Sequence, residues 1–231
     1  MRVALTQAQG RLEGLGEELT SLGLTVVRVP LLEIQPRLCD DVRRQGHAFS
    51  IFPWLLFSSR SAVEAWRALD LSFSGPSLGA VGPATAREIE RAGGRAEIVG
   101  APPNAEGLAT LFLQHTSISN FKGPVGLPLG TLSPSWLRRR LEIAGHQVVT
   151  LEVYETLTLG WPKDIEVDAV ILASASAVKA LPTRVAGDST LITIGRSTSR
   201  AVRDRGFVPI EARAPSRTAI VQAVHQSRRT E

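Results

Sequence analysis

LLFSSRSAV (55–63) and VILASASAV (170–178) are one segment written twice. Each is a short apolar run, a turn rich in small residues and hydroxyls, and then the opening of a helical stretch. Ser59 thereby aligns with Ser174, and Val63 with Val178. The match extends outward. LGAVGPATAREIERAGG (78–94) returns as LITIGRSTSRAVRDRGF (191–207), aligning Gly82 with Gly195 and Thr85 with Thr198. PNAEGLATLF (103–112) returns as PSRTAIVQAV (215–224), and VALTQAQ…LGLTVVRV (3–29) as VGLPLGT…AGHQVVTL (125–151), aligning Gly23 with Gly145. What recurs most faithfully is the strand-to-helix turn. An old duplication of this kind predicts two facing lobes that present similar loops to something held between them.

Short apolar runs alternating with helical periodicity predict βα units and a parallel sheet. Strands are expected at 2–6, 25–30, 54–58, 77–81, 96–99, 124–128, 147–153, 168–173, 190–194 and 207–211. Helices are expected at 10–22, 60–69, 83–92, 104–115, 133–144, 175–181, 197–205 and 216–227. Pro83 and Pro134 suit a first helical position, and Asn104, Ser133 and Ser216 suit an N-cap. Gly23, Gly93, Gly145 and Gly206 each follow a helical run and suit its end. VPLLEIQPR (29–37) and LEVYETLTLGWPKD (151–164) read as extended, proline-punctuated linkers at matching points of the two copies. The polar stretch 116–123 marks the seam between the copies. The fold class is doubly wound α/β, repeated, in two domains.

Composition narrows the chemistry. Twenty-six basic and 22 acidic residues leave a net charge of +4, and the cations are almost all Arg, with Lys only at Lys122, Lys163 and Lys179. No basic run is interleaved with aromatics, so nucleic-acid binding is not indicated. Arg138, Arg139 and Arg140 read as a solvated helix face. Cys39 is the one cysteine, which excludes a disulfide framework and a thiolate metal cluster. His47, His115, His146 and His225 lack helical-spacing partners and read as surface or loop residues rather than ligands. No apolar run has membrane-spanning length, and Met1 leads into a strand without a secretory stretch, so a cytoplasmic location is expected.

The turns carry the candidate chemistry. Gly82-Pro83-Ala84-Thr85 and Gly195-Arg196-Ser197-Thr198 each put a glycine at a strand end before a helix start. That arrangement aims backbone N–H groups and the helix dipole at an anion; equally, any tight βα turn requires glycine. The hydroxyls of Ser58-Ser59-Arg60-Ser61 and Ser174-Ala175-Ser176 could bind a ligand or simply cap the next helix. Arg60 and Arg196 are carboxylate-clamp candidates or solvated loop cations. Hydrolase, dehydrogenase and kinase motifs are missing: there is no GxSxG, HExxH, Walker A or GxGxxG, and the glycines of RLEGLGEEL (11–19) fall too late for a phosphate turn. Tyr154 is the single tyrosine; its phenol can donate a hydrogen bond or proton, though by residue physics alone an ordinary strand aromatic is the favoured reading.

The ordered set of FSSRSAV and LASASAV, AVGPATA and TIGRSTS, and VYET (153–156) after the AGHQVV strand resembles uroporphyrinogen-III synthase over essentially the whole chain. The resemblance implies two flavodoxin-like lobes joined by a two-stranded antiparallel linker. Lobe one would be 1–34 with 157–231, lobe two 38–152, and the linkers 35–37 and 153–156. It implies cyclisation of the linear tetrapyrrole hydroxymethylbilane to uroporphyrinogen III, with ring D inverted through a spiro intermediate, water released, and no cofactor or metal. It further implies a monomer that takes its substrate in a possible transient handover from hydroxymethylbilane synthase. By position, Tyr154 matches the tyrosine proposed to assist departure of the hydroxyl. Thr6, Gly130 and the turns at Ser58 to Ser61, Gly82 to Thr85, Ser174 to Ser176 and Gly195 to Thr198 match loops that hold acetate and propionate groups. Three places depart from the family pattern: Thr6-Gln7-Ala8 lacks an Arg-Pro, Pro128-Leu129-Gly130-Thr131-Leu132 lacks charge, and Ser199 stands where alanine is usual. These less basic loops keep open a non-catalytic, two-lobed anion- or tetrapyrrole-binding or regulatory module.

Overall fold

The computed structural model describes residues 1–7, 12, 14–118, 121 and 123–227. Ala8, Lys122 and the start of the first expected helix, at residues 10, 11 and 13, lie outside them. The chain divides into two compact units, Met1–Glu33 with Leu157–Glu231, and Ile34–Thr156.

In chain order the elements are β1 (Arg2–Leu5), α1 (Leu15–Ser21), β2 (Thr25–Arg28), β3 (Leu32–Pro36), α2 (Asp40–Ala48), β4 (Trp54–Phe57), α3 (Arg60–Ala68) and β5 (Ser77–Ala80). There follow α4 (Pro83–Arg91), β6 (Ala96–Val99), α5 (Ala105–Ile118), β7 (Val125–Gly130), α6 (Trp136–Ile143) and β8 (Val148–Thr158). The chain closes with β9 (Ala169–Leu172), α7 (Ala175–Ala180), α8 (Thr183–Asp188), β10 (Thr190–Thr193), α9 (Arg196–Arg203), β11 (Pro209–Glu211) and α10 (Arg217–Ser227).

The first unit carries the sheet β11-β10-β9-β1-β2, parallel throughout. The second carries β3-β8-β7-β4-β5-β6, parallel from β8 to β6. β3 runs antiparallel to β8: Arg37 N–H donates to the Val153 carbonyl and Leu159 N–H to that of Leu31, both at 2.9 Å, so numbers rise on one strand as they fall on the other. The two sheets place equivalent strands alike but connect them differently. β2-β1-β9-β10-β11 follows the flavodoxin-like order 2-1-3-4-5 in chain order, whereas β6-β5-β4-β7-β8, built from the same strands of the opposite copies, runs 3-2-1-4-5. Each sheet therefore joins the opening segment of one sequence copy to the later strands of the other.

Strands buried on both faces read as continuous apolar runs. In β4, Leu55 and Phe57 pack into one core and Trp54 and Leu56 into the opposite one. In β9, Ala169 and Ile171 divide from Val170 and Leu172 in the same way. Helix ends follow the glycines. Gly23, Gly93, Gly145 and Gly206 have φ of 79, 86, 89 and 82°. Behind each, the next N–H closes a six-residue bond, as from Gly94 to the Ile89 carbonyl at 2.9 Å and from Phe207 to that of Val202 at 3.2 Å.

Several elements differ from the sequence reading. α2 escapes the apolar pattern because only Val42 and Gly46 of its nine residues are buried; Gly46 lies where a Cβ would collide with Leu71. α8 has only six residues and contains Gly187. The expected linkers are strands, β3 and the long β8. Ser133 does not cap α6, which starts at Trp136 beyond Pro134; its Oγ instead accepts Gly130 N–H at 3.0 Å. His146 is buried rather than at the surface, its ring edge-on to Phe112 and tilted against Phe121 at 5.1 and 5.8 Å between ring centroids.

Candidate active site

In a doubly wound sheet the order of connection reverses between two strands, and ligands bind beyond their carboxyl ends at that point. The reversal lies between β7 and β4 in the second unit and between β1 and β9 in the first. The candidate turns follow these strands and their neighbours.

In the second unit, Ser59 is the N-cap of α3, with φ −157° and ψ 155°, and its Oγ accepts Ala62 N–H at 3.1 Å. The same Oγ stands 3.3 Å from the phenol oxygen of Tyr154, which is 9% exposed. These residues belong to β8 and to the end of β4, with β7 between them. A register shift after Leu129 sets Gly130 of β7 level with Tyr154 of β8. A Cβ at Gly130 would collide with Cε2 and Cζ of the tyrosine ring. The missing side chain thus opens the space through which the ring crosses β7 to reach Ser59. Thr131 N–H, donating to the Tyr154 carbonyl at 3.1 Å, and Ser133 Oγ, accepting from Gly130, fix the following loop.

Gly82 opens α4 with φ 178° and ψ 177°. Its first turn is folded inward: Thr85 is 3% exposed, and its N–H and that of Ala86 both donate to the Gly82 carbonyl at 3.0 Å. Pro83 has no N–H, which leaves Ala84 to supply the outward donor. Ser58 and Arg60 are half-buried beside Ser59, while Ser61 is buried.

The first unit repeats these turns closely. Ser174 caps α7 with φ −159° and ψ 156°, its Oγ accepting Ala177 N–H at 3.1 Å. Gly195 opens α9 with φ 167° and ψ 177°, and Thr198 N–H donates back to its carbonyl at 3.1 Å. Here Arg196 replaces proline, so Arg196 and Ser197, both exposed, offer two N–H groups and a guanidinium. Ala175 is half-buried and Ser176 exposed, while Thr198 is buried. Thr6 is 1% exposed and directs its Oγ to the Ile171 carbonyl at 2.8 Å, across the reversal between β1 and β9. Arg60 and Arg196 form no ion pair among the described residues.

Sequence reasoning missed a buried pair beneath the α9 turn. Thr193 and Ser199, both fully buried, share a hydrogen at 2.6 Å. Ala80 and Ala86 hold the equivalent positions in the other copy. The signal was available, since both hydroxyls replace alanines within aligned segments. Among the described residues no group of three His, Cys, Asp or Glu side chains could hold a metal, and no helix is long and apolar enough to cross a membrane.

The arrangement can do two things. Outward N–H groups, hydroxyls and unpaired guanidinium groups can hold carboxylates, and a phenol on a serine beside such turns can deliver a hydrogen bond or a proton.

The sequence profile of the family described as Uroporphyrinogen-III synthase HemD matches residues 13–222. No curated protein sequence matches the chain. Among solved structures, a triple mutant of uroporphyrinogen III synthase from Thermus thermophilus is similar at 22% identity over 100% of both chains, with a TM-score of 0.70. Uroporphyrinogen-III synthetase from Helicobacter pylori is similar at 15% identity, covering 98% of this chain and 100% of that one, with a TM-score of 0.69. Wild-type uroporphyrinogen III synthase from Thermus thermophilus shares 24% identity over 99% and 97% of the two chains, with a TM-score of 0.52. At these identities the structural likeness speaks for the fold.

Proposed function

The chain belongs to the uroporphyrinogen-III synthase family, and from that premise we propose how its residues cyclise hydroxymethylbilane to uroporphyrinogen III with inversion of ring D. The proposed acid is Tyr154. The phenol gives its hydrogen to the terminal hydroxyl as the carbon–oxygen bond breaks, and water leaves. The pyrrole nitrogen lone pair forms the new double bond of the azafulvene. The substituted carbon of ring D attacks it to give the spiro intermediate, which fragments and recloses with ring D reversed. The proton lost as the last pyrrole regains aromaticity restores the phenol. What supports this reading is the Tyr154–Ser59 contact over Gly130, at the strand reversal where doubly wound sheets bind ligands.

The substrate closes spontaneously to the unflipped isomer, so the protein's main task is geometric. The proposed carboxylate holders are the turn residues: Ser58, Arg60 and Ala84 in one unit, and Ser174, Ser176, Arg196 and Ser197 in the other. Thr6, Ser61, Thr85 and Thr198 are buried, so they are proposed to shape these turns rather than touch substrate. The protein is further proposed to act as a cytoplasmic monomer and to take substrate in a transient handover from hydroxymethylbilane synthase. A short transit limits spontaneous closure. No observation favours the non-catalytic module.

Tyr154→Phe tests the acid. General acid catalysis contributes about 10²- to 10⁴-fold, so kcat for isomer III is expected to fall by roughly 100-fold with KM little changed. Unchanged kcat would remove Tyr154 from the chemistry.

A further inference from the structure

We infer that Ser59 is a positioning residue for the phenol hydrogen of Tyr154 and not a carboxylate holder. The inference rests on the assignment of Tyr154 as the acid.

A serine hydroxyl has one hydrogen to give and two lone pairs to receive. Ser59 spends one lone pair on Ala62 N–H at 3.1 Å, the bond that caps α3. Between its oxygen and the Tyr154 oxygen, 3.3 Å away, there is room for one hydrogen, which either hydroxyl can supply. The cap favours Ser59 as the donor: an oxygen that accepts from a helix N–H is polarised into a stronger one, and the phenol oxygen then accepts. The phenol's own hydrogen then points away from Ser59 and is available to the departing hydroxyl. The separation exceeds the optimum of about 2.8 Å for O–H···O, so the contact orients the phenol rather than holding it tightly.

The duplication supplies an internal comparison. Ser174 has the same backbone angles within 2° and the same 3.1 Å cap. Among the described residues, no phenol stands beside it, so its hydrogen stays available for a ligand. Two equivalent serines thus differ in one respect: only Ser59 has a phenol beside it.

Glycine is nearly as good an N-cap as serine, costing a few tenths of a kcal/mol, so Ser59→Gly removes the hydroxyl with little effect on the helix. Tyr154 is the single tyrosine, so a carbon-13 label at tyrosine Cζ gives one resonance, and its position reads the phenol's hydrogen bonding without turnover. Ser59→Gly is expected to move that resonance, to lower kcat for isomer III roughly tenfold with KM within twofold, and to add nothing in a Tyr154→Phe background. Ser59→Thr, which keeps the hydroxyl, is expected to restore kcat. Ser174→Gly is expected to raise KM and leave the resonance in place. The inference is overturned by an unmoved resonance in Ser59→Gly, by equal kcat losses in the Ser59 and Ser174 variants, or by a full Ser59→Gly effect without the phenol. Wild-type protein that makes no isomer III would instead defeat the underlying reading and with it the catalytic role, while the resonance still decides whether the bond exists.

Discussion

Gly130 and Tyr154 stand level with one another on adjacent parallel strands, and the ring of one occupies the place where a side chain of the other would be. The relationship makes glycine a requirement of the tyrosine's path to Ser59. Gly130→Ala is expected to destabilise the protein by about 1–3 kcal/mol, as overpacking does. It is also expected to lower isomer III formation at least as far as Ser59→Gly, because the ring must leave its present position. Thermal unfolding and a coupled assay check both; wild-type activity in the alanine variant would show that the close approach is unnecessary.

The two helix-opening glycines should respond differently to alanine. Both have extended backbone, which any residue adopts. A Cβ at Gly82 would stand 2.6 Å from Pro103 Cβ, whereas one at Gly195 meets nothing within 4 Å. Gly82→Ala is expected to lose about 1–3 kcal/mol of stability, and Gly195→Ala to stay within about 0.5 kcal/mol of wild type. Denaturant unfolding separates the two.

Arg60 and Arg196 occupy different turns of the duplicated set, one in each unit, and neither has a carboxylate partner among the described residues. Replacing either with alanine removes no folded-state ion pair, so stability should change by less than about 0.5 kcal/mol. Loss of a charge-assisted bond to substrate, worth about 1.5–3 kcal/mol, should raise KM by roughly tenfold or more. Unchanged KM in both variants would exclude them as carboxylate holders.

Thr193 and Ser199 are satisfied by each other, so removing one strands the other. Ser199→Ala or Thr193→Val alone is expected to cost about 1–3 kcal/mol. The double variant approaches the apolar pair that Ala80 and Ala86 form in the other copy, and should cost less than the two singles together. Additive losses in a double-mutant cycle would mean that the two hydroxyls are not coupled.

Much of this was legible in the chain. Repeated strand-to-helix turns predicted parallel βα units, and Pro83, Asn104, Ser216 and the four stop glycines act at their expected places. Ser216 and Asn104 cap their helices through Ala219 and Gly107 N–H, at 3.3 and 2.9 Å. Less visible was whatever depends on contacts across strands. Nothing local in PLGT announces that Gly130 clears a path for a ring 24 residues later, because the relation needs the register of β7 on β8. Likewise α2 hides in a polar stretch because it buries so little. Burial of Thr6, Ser61, Thr85 and Thr198 is also a tertiary fact: a hydroxyl's presence in a turn does not say which way it faces.

The most direct measurement is the isomer composition of the product. Hydroxymethylbilane generated in situ from porphobilinogen by its synthase, with and without this protein, would be oxidised and resolved as porphyrin isomers. The account predicts a shift from isomer I to isomer III in proportion to added protein. Isomer I alone, from protein shown to be folded, would contradict it.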